Sequence, residues 1–170
     1  FYRSAESLEA AWKYVIIGSV GIALALFGTV LTYYAGVRTL GSNYDLNWSA
    51  LLPVAGHLDA SVMRLAFLFV IVGFGTKTGL APMHTWLPDA HSEAPSPISA
   101  LLSGVLLSSA LYAILRYFTF TVPAVGHVYP AALLLIFGLL SLLVATLLML
   151  RQRDYKRLLA YSSIEHMGLI

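Results

Sequence analysis

Apolar residues fall along the chain in five long runs, divided by short polar segments. Runs at about 13–36, 65–84, 98–118 and 129–150 each hold ~20 residues. As helices at ~1.5 Å per residue, that is enough to cross a ~30 Å hydrocarbon core. A fifth apolar pattern occupies 157–170 and reaches the last residue. Strand-like alternation is missing, so the pattern predicts an all-α polytopic membrane protein.

The connections differ in character. Phe1 to Ala11 is polar and helix-friendly, with Ser7 a predicted N-cap. Val37 to Ser61 is a long connection rich in Gly, Ser, Asn and Asp, with a semi-apolar patch, NWSALLPVAG, suited to a membrane interface. His57 and Asp59 read there as solvated loop residues. Within the first run, Tyr14, Tyr33 and Tyr34 mark the two ends as an aromatic belt. Gly18, Gly21, Ala25 and Gly28 keep one face small enough for close helix packing. Ser96 is the predicted cap of the third run, and Arg116 falls near its far end.

Composition narrows the class. Of 170 residues, 59% are hydrophobic and 11% charged, against about a quarter charged in soluble domains. A net charge of +2, thinly scattered, gives no nucleic-acid footprint. The absence of cysteine excludes disulfides, thiolate metal sites and cysteine-held iron–sulfur clusters in this chain. No metal and no cofactor are expected. Phe1 and an apolar C-terminus read as the cut ends of an internal piece of one membrane domain.

The most cationic loop carries Arg151, Arg153, Lys156 and Arg157, which places it on the cytoplasmic side. Counting back puts Arg3 and Lys13 on that side as well. Arg38, Arg64 and Arg116 fall on the other, so the cations divide six to three with Lys77 left out. The segment His84–Pro97 is then cytoplasmic.

Candidate chemistry gathers between Phe74 and Gly104, FGTKTGLAPMHTWLPDAHSEAPSPISALLSG. Lys77 stands inside an apolar run, where an ionisable group costs ~2.5–3.5 kcal/mol on insertion scales and so marks a functional position. Pro82 predicts a helix break shortly after it. Two registers fit. A helix starting after Arg64 puts Lys77 ~18 Å along a ~30 Å path, near the middle. One from Val62 to Ala81 puts it near an end, where it can snorkel. His84 follows Lys77 by seven residues, two turns along one face if the helix resumes, and imidazole titrates near neutral pH. His84, Asp89, His91 and Glu93 follow with no compensating cation in the sequence nearby, and their spacing matches no metal motif. GFGTKTG lacks the glycine before the lysine that a phosphate loop requires. Ser103 and Ser108 could line a hydrated path through the third run. Glu165 and His166, ~16 Å beyond Asp154 on a continuous helix, are an intramembrane acid beside a histidine.

The stretch KTGLAPMHTWLPDAHSEAPSPISALLSG, with DYKRLLAYSSIEHMG downstream, resembles the proton-antiporter-like membrane subunits of respiratory complex I and related hydrogenases. Its wording is most similar to the hydrogenase-4 branch, and the resemblance covers nearly the whole chain. It implies a bundle of about fourteen helices with inverted five-helix repeats, of which this chain holds the sixth to the tenth. Lys77 matches the family's central lysine on a broken helix, and Pro82 the break. The acidic partner of that lysine lies in the family on a helix preceding Phe1. Where complex I members often carry a lysine or histidine on the next helix, this chain has Ser108, with Ser103 as another candidate. Serine holds no net proton at neutral pH, so a relay there needs water or other groups.

What the resemblance implies is a proton-translocating subunit of a hydrogenase-4 or complex I-like oxidoreductase, with Lys77, His84, Glu165 and His166 as its relay. Its partners would be other membrane subunits, a peripheral redox arm and lipid, in a prokaryotic cytoplasmic membrane. A Na+/H+ antiporter on the same fold and a structural membrane anchor are the alternatives.

Overall fold

A computed structural model describes residues 4–41 and 47–170. Arg3, and residues 42–46 of the long connection, lie outside the described residues. Helix α1 spans Ala5–Leu40 and α2 is a single turn, Trp48–Leu51. Helix α3 spans Ala60–Thr78, α4 Trp86–Glu93 and α5 Ser96–Leu101. Helices α6, Leu107–Val125, α7, Val128–Met149, and α8, Tyr155–Leu169, complete the chain. Short 3-10 turns cover Leu52–His57 and Met83–Thr85, and a π-helical turn, Leu102–Leu106, joins α5 to α6. No strand occurs among the described residues, so the architecture is all-helical. Among the described residues four segments are long and apolar enough to cross a membrane: Ala5–Leu40, Ala60–Glu93, Ser96–Val125 and Val128–Met149.

Helix α1 overruns its apolar run because a cap, not hydropathy, sets its start. Ser4, rather than Ser7, caps α1. The Ser4 hydroxyl accepts from the Ser7 amide at 3.0 Å, and the Ser7 hydroxyl accepts from the Ser4 amide at 3.2 Å. At 36 residues, α1 projects well past a ~30 Å core. Ser96 is the first residue of α5, and Pro95 holds the cap position without a side-chain bond. The third segment then runs through the π turn to Val125, nine residues beyond Arg116.

The broken pair α3 and α4 is the axis of the bundle. α3 packs between α1 and α6, with Met63, Ala66, Phe67, Val70 and Ile71 fully buried. α4 packs between α1 and α8, and α8 lies along α7. The small face of α1 meets α3 as its sequence implies. A methyl on Gly21 would lie 2.7 Å from Thr76 Cβ, and one on Gly28 2.9 Å from the Ala66 carbonyl oxygen. α7 and α8 approach equally closely, where a methyl on Gly138 would lie 2.7 Å from the Gly168 carbonyl oxygen.

The described part of the long connection, from Asn47 onward, is largely helical. Leu51, Ala55 and Leu58 bury themselves against Ala35, Met63 and Phe120, closing one end of the bundle. Arg116 lies over the Trp48 ring at 4.6 Å on that end. His57 is exposed, but Asp59 has a structural role. Its carboxylate caps α3 by accepting from the Ser61 and Val62 amides at 2.9 and 3.1 Å. The outward faces of α1 and α7 remain apolar and exposed, with Ile16, Leu26, Ile136 and Leu143 among them. That is how helices meet lipid or other membrane helices.

Candidate functional site: a broken helix with an internal lysine

α3 ends earlier than the proline suggests. Gly79 takes a left-handed conformation, φ +81°, and its amide bonds back to the Gly75 carbonyl. Only glycine enters this conformation without strain, so Gly79 rather than Pro82 ends the helix. Pro82 lies in the irregular stretch that follows and precedes the 3-10 turn.

A break in apolar surroundings frees backbone groups that must find partners. Here side chains from elsewhere supply them. The Ala81 amide donates to Ser141 Oγ of α7 at 2.9 Å, and both residues are fully buried. The Thr76 carbonyl accepts from Trp86 Nε1 at 2.7 Å. The Leu80 amide returns to the Gly75 carbonyl at 2.9 Å.

Lys77 is the penultimate residue of α3 and falls near the middle of the 34-residue segment Ala60–Glu93. Neither expected register is met in full, since the helix starts at Ala60 and a second half-helix carries the segment on. Among the described residues, the ion pairs are Lys13–Glu9, Lys13–Asp89 and Arg157–Asp89, so Lys77 faces no carboxylate. It lies instead at the carbonyl end of α3, which favours a cation, and against α1. Its Nζ is 4.5 Å from the Tyr14 ring centroid and 3.5 Å from the Tyr14 hydroxyl.

Lys77 and His84 do not share a face. The chain leaves α3 at Gly79, so Lys77 turns to α1 while the His84 ring lies 6.5 Å from that of Tyr161 on α8. His84 is buried, and its Nδ1 has no partner among the described residues. His91, given no role by the sequence, is likewise buried with an unpartnered Nε2, and its Nδ1 is hydrogen-bonded to Ser99 Oγ.

His91 borders a cavity of about 640 Å³ between α5, the π turn and α8. Ser103 and Ser163 meet in its wall at 2.9 Å, and Ser162 and His166 also line it. His166 Nδ1 donates to the Ser162 carbonyl at 2.6 Å, which fixes the ring. Glu165 does not line this cavity, because successive helical residues point to different faces. Ser108, beyond the π turn, is exposed in this chain and is not in the wall of the Ser103 cavity.

Asp89 is a correction. Far from lacking a cation, it takes two. Its carboxylate oxygens lie 2.7 Å from Lys13 Nζ of α1 and 2.9 Å from an Arg157 nitrogen of α8. Lys156 Nζ donates to the Ser92 and Ala94 carbonyls at 3.3 and 2.9 Å, completing the C-terminal end of α4. Among the described residues no three His, Cys, Asp or Glu side chains cluster as metal ligands.

A family model described as "NADH:quinone oxidoreductase/Mrp antiporter, TM" matches residues 1–170. The chain belongs to this family. It is 54% identical over 171 residues to a hydrogenase-4 component F homolog of Methylacidiphilum infernorum, covering 99% of this chain and 36% of that protein. To the NADH-quinone oxidoreductase subunit N of Halorhodospira halophila it is 34% identical over 170 residues, covering 98% and 33%. Among solved structures, it superposes on a chain of an archaeal membrane-bound sulfane sulfur reductase with a TM-score of 0.84 and 30% identity, covering 99% of this chain and 33% of that one. For respiratory complex I of Thermus thermophilus the values are 0.77 and 33%, covering 98% and 34%. The chain thus spans about a third of the length of these NADH:quinone oxidoreductase/Mrp-type relatives.

Proposed function

We propose that the chain is part of a proton-translocating membrane subunit of a hydrogenase-4 or complex I-like oxidoreductase. Its setting would be a prokaryotic cytoplasmic membrane, among other membrane subunits and beneath a peripheral redox arm. The observation that carries the reading is Lys77: an ammonium at the end of a half-helix, near mid-segment, against the Tyr14 ring of α1. An ionisable group inside a membrane segment marks a functional position. His84 and His166 are groups able to hand protons on, and Glu165 supplies an acid on α8. Ser103 and Ser163 would order water beside His166 in the cavity. The family membership and the relatives' names support the reading. Oxidation and reduction would take place in partner subunits.

The test is ion dependence in the whole complex reconstituted in vesicles. Redox-driven acidification that persists at full rate when sodium is replaced by choline supports proton translocation. Acidification that disappears without sodium would favour a Na+/H+ antiporter instead.

A further inference from the structure

We propose that Tyr14 and Gly18 of α1 form a docking site for the Lys77 ammonium, and that Lys77 seated there separates two cavities. The inference rests on the proton-relay reading of Lys77 and deepens it.

Tyr14 and Gly18 are one turn apart on the face of α1 that meets α3. The Tyr14 ring face and hydroxyl both approach Nζ, at 4.5 Å to the centroid and 3.5 Å to the oxygen. Cations are drawn to aromatic faces, and the contact strengthens away from water. Gly18 makes the remaining room. Among the described residues outside its own helix backbone, a methyl there would meet Lys77, 2.9 Å from Nζ and 3.7 Å from Cε. The glycine thus leaves room for the lysine head. Tyr14 is itself fixed, since its ring packs edge-on against Trp86 at 5.2 Å, and Trp86 is tied to the Thr76 carbonyl. α1, α3 and α4 therefore build the site together.

Its place suggests its use. On one side a cavity of about 440 Å³, bordered by Ser7, Tyr14 and Glu93, opens toward the start of α1. On the other a pocket of about 250 Å³ is bordered by Lys77, Gly73 and Thr29. Tyr14 belongs to the first wall and Lys77 to the second, and they touch. A lysine that moves in and out of this seat would open and close the junction.

The experiment measures protons translocated per electron in the full reconstituted complex, with assembly checked by native electrophoresis. Gly18→Ala is the sharpest variant. Alanine favours the helix, and its methyl meets Lys77. The expected result is at least a threefold fall in the ratio, with assembly intact. Tyr14→Leu should fall as far, and Tyr14→Phe, which keeps the ring, should lose less than Tyr14→Leu. Lys77→Met in the same preparation separates the two claims. If Lys77→Met uncouples while Gly18→Ala and Tyr14→Leu stay within 1.5-fold of wild type, the docking site is wrong and the relay stands. If Lys77→Met itself couples normally, the relay reading fails and the docking site has no role.

Discussion

The break after α3 is held by single residues far away in the sequence, and Ser141 carries the clearest consequence. Its hydroxyl accepts from the Ala81 amide while donating to the Phe137 carbonyl at 2.6 Å. Ser141→Ala would leave that buried amide unpaired, which costs ~1–3 kcal/mol. The thermal unfolding midpoint of the purified complex should fall, and Ser141→Thr, which keeps a hydroxyl, should recover part of the loss. An unchanged midpoint in the alanine variant would show that another group serves the amide. Lys77 was legible in the sequence because a charge in an apolar run announces itself locally. Ser141 was not, since one serine in an apolar helix reads as packing, and its partner is 60 residues away. The same distance in sequence hid the cations of Asp89, because Lys13 is 76 residues from it.

At the scale of elements, hydropathy placed the helices and capping moved their ends. The seven-residue spacing of Lys77 and His84 puts them on one face only if the helix resumes in line. It does not, since a left-handed glycine at 79 redirects the chain before the second half-helix begins. What then holds α4 in place is Asp89, bridging α1 and α8 through Lys13 and Arg157. Part-exposed ion pairs add modestly to stability, so Asp89→Asn should loosen α4 without unfolding α3. Hydrogen exchange reads this directly. Amides of Trp86–Glu93 should exchange faster, and those in the middle of α3 should stay protected. Equal acceleration along both half-helices would mean that the clamp supports the bundle as a whole. The π turn before Ser108 was equally hidden, because nothing in LSGVL marks a change of helical pitch. That turn separates Ser103, in the cavity wall, from Ser108, which is exposed.

For the whole molecule, the division of cations between two ends agrees with the packing. Lys13, Lys156 and Arg157 gather around α4 at one end. Arg64 and Arg116 meet Tyr129 and Trp48 at the other. Between them runs the broken helix, its freed backbone satisfied by protein and its lysine facing a ring and a glycine. The account stands on that lysine exchanging its proton. The most direct measurement is redox-driven proton translocation by the reconstituted complex carrying Lys77→Met or Lys77→Arg, relative to electron transfer in the same vesicles. Methionine keeps the length without a titratable group, and guanidinium is effectively always protonated. Both variants should assemble, and both should translocate several-fold fewer protons per electron than wild type. An arginine variant that pumps like wild type would make Lys77 a fixed charge, and a methionine variant that does so would contradict the account at its centre.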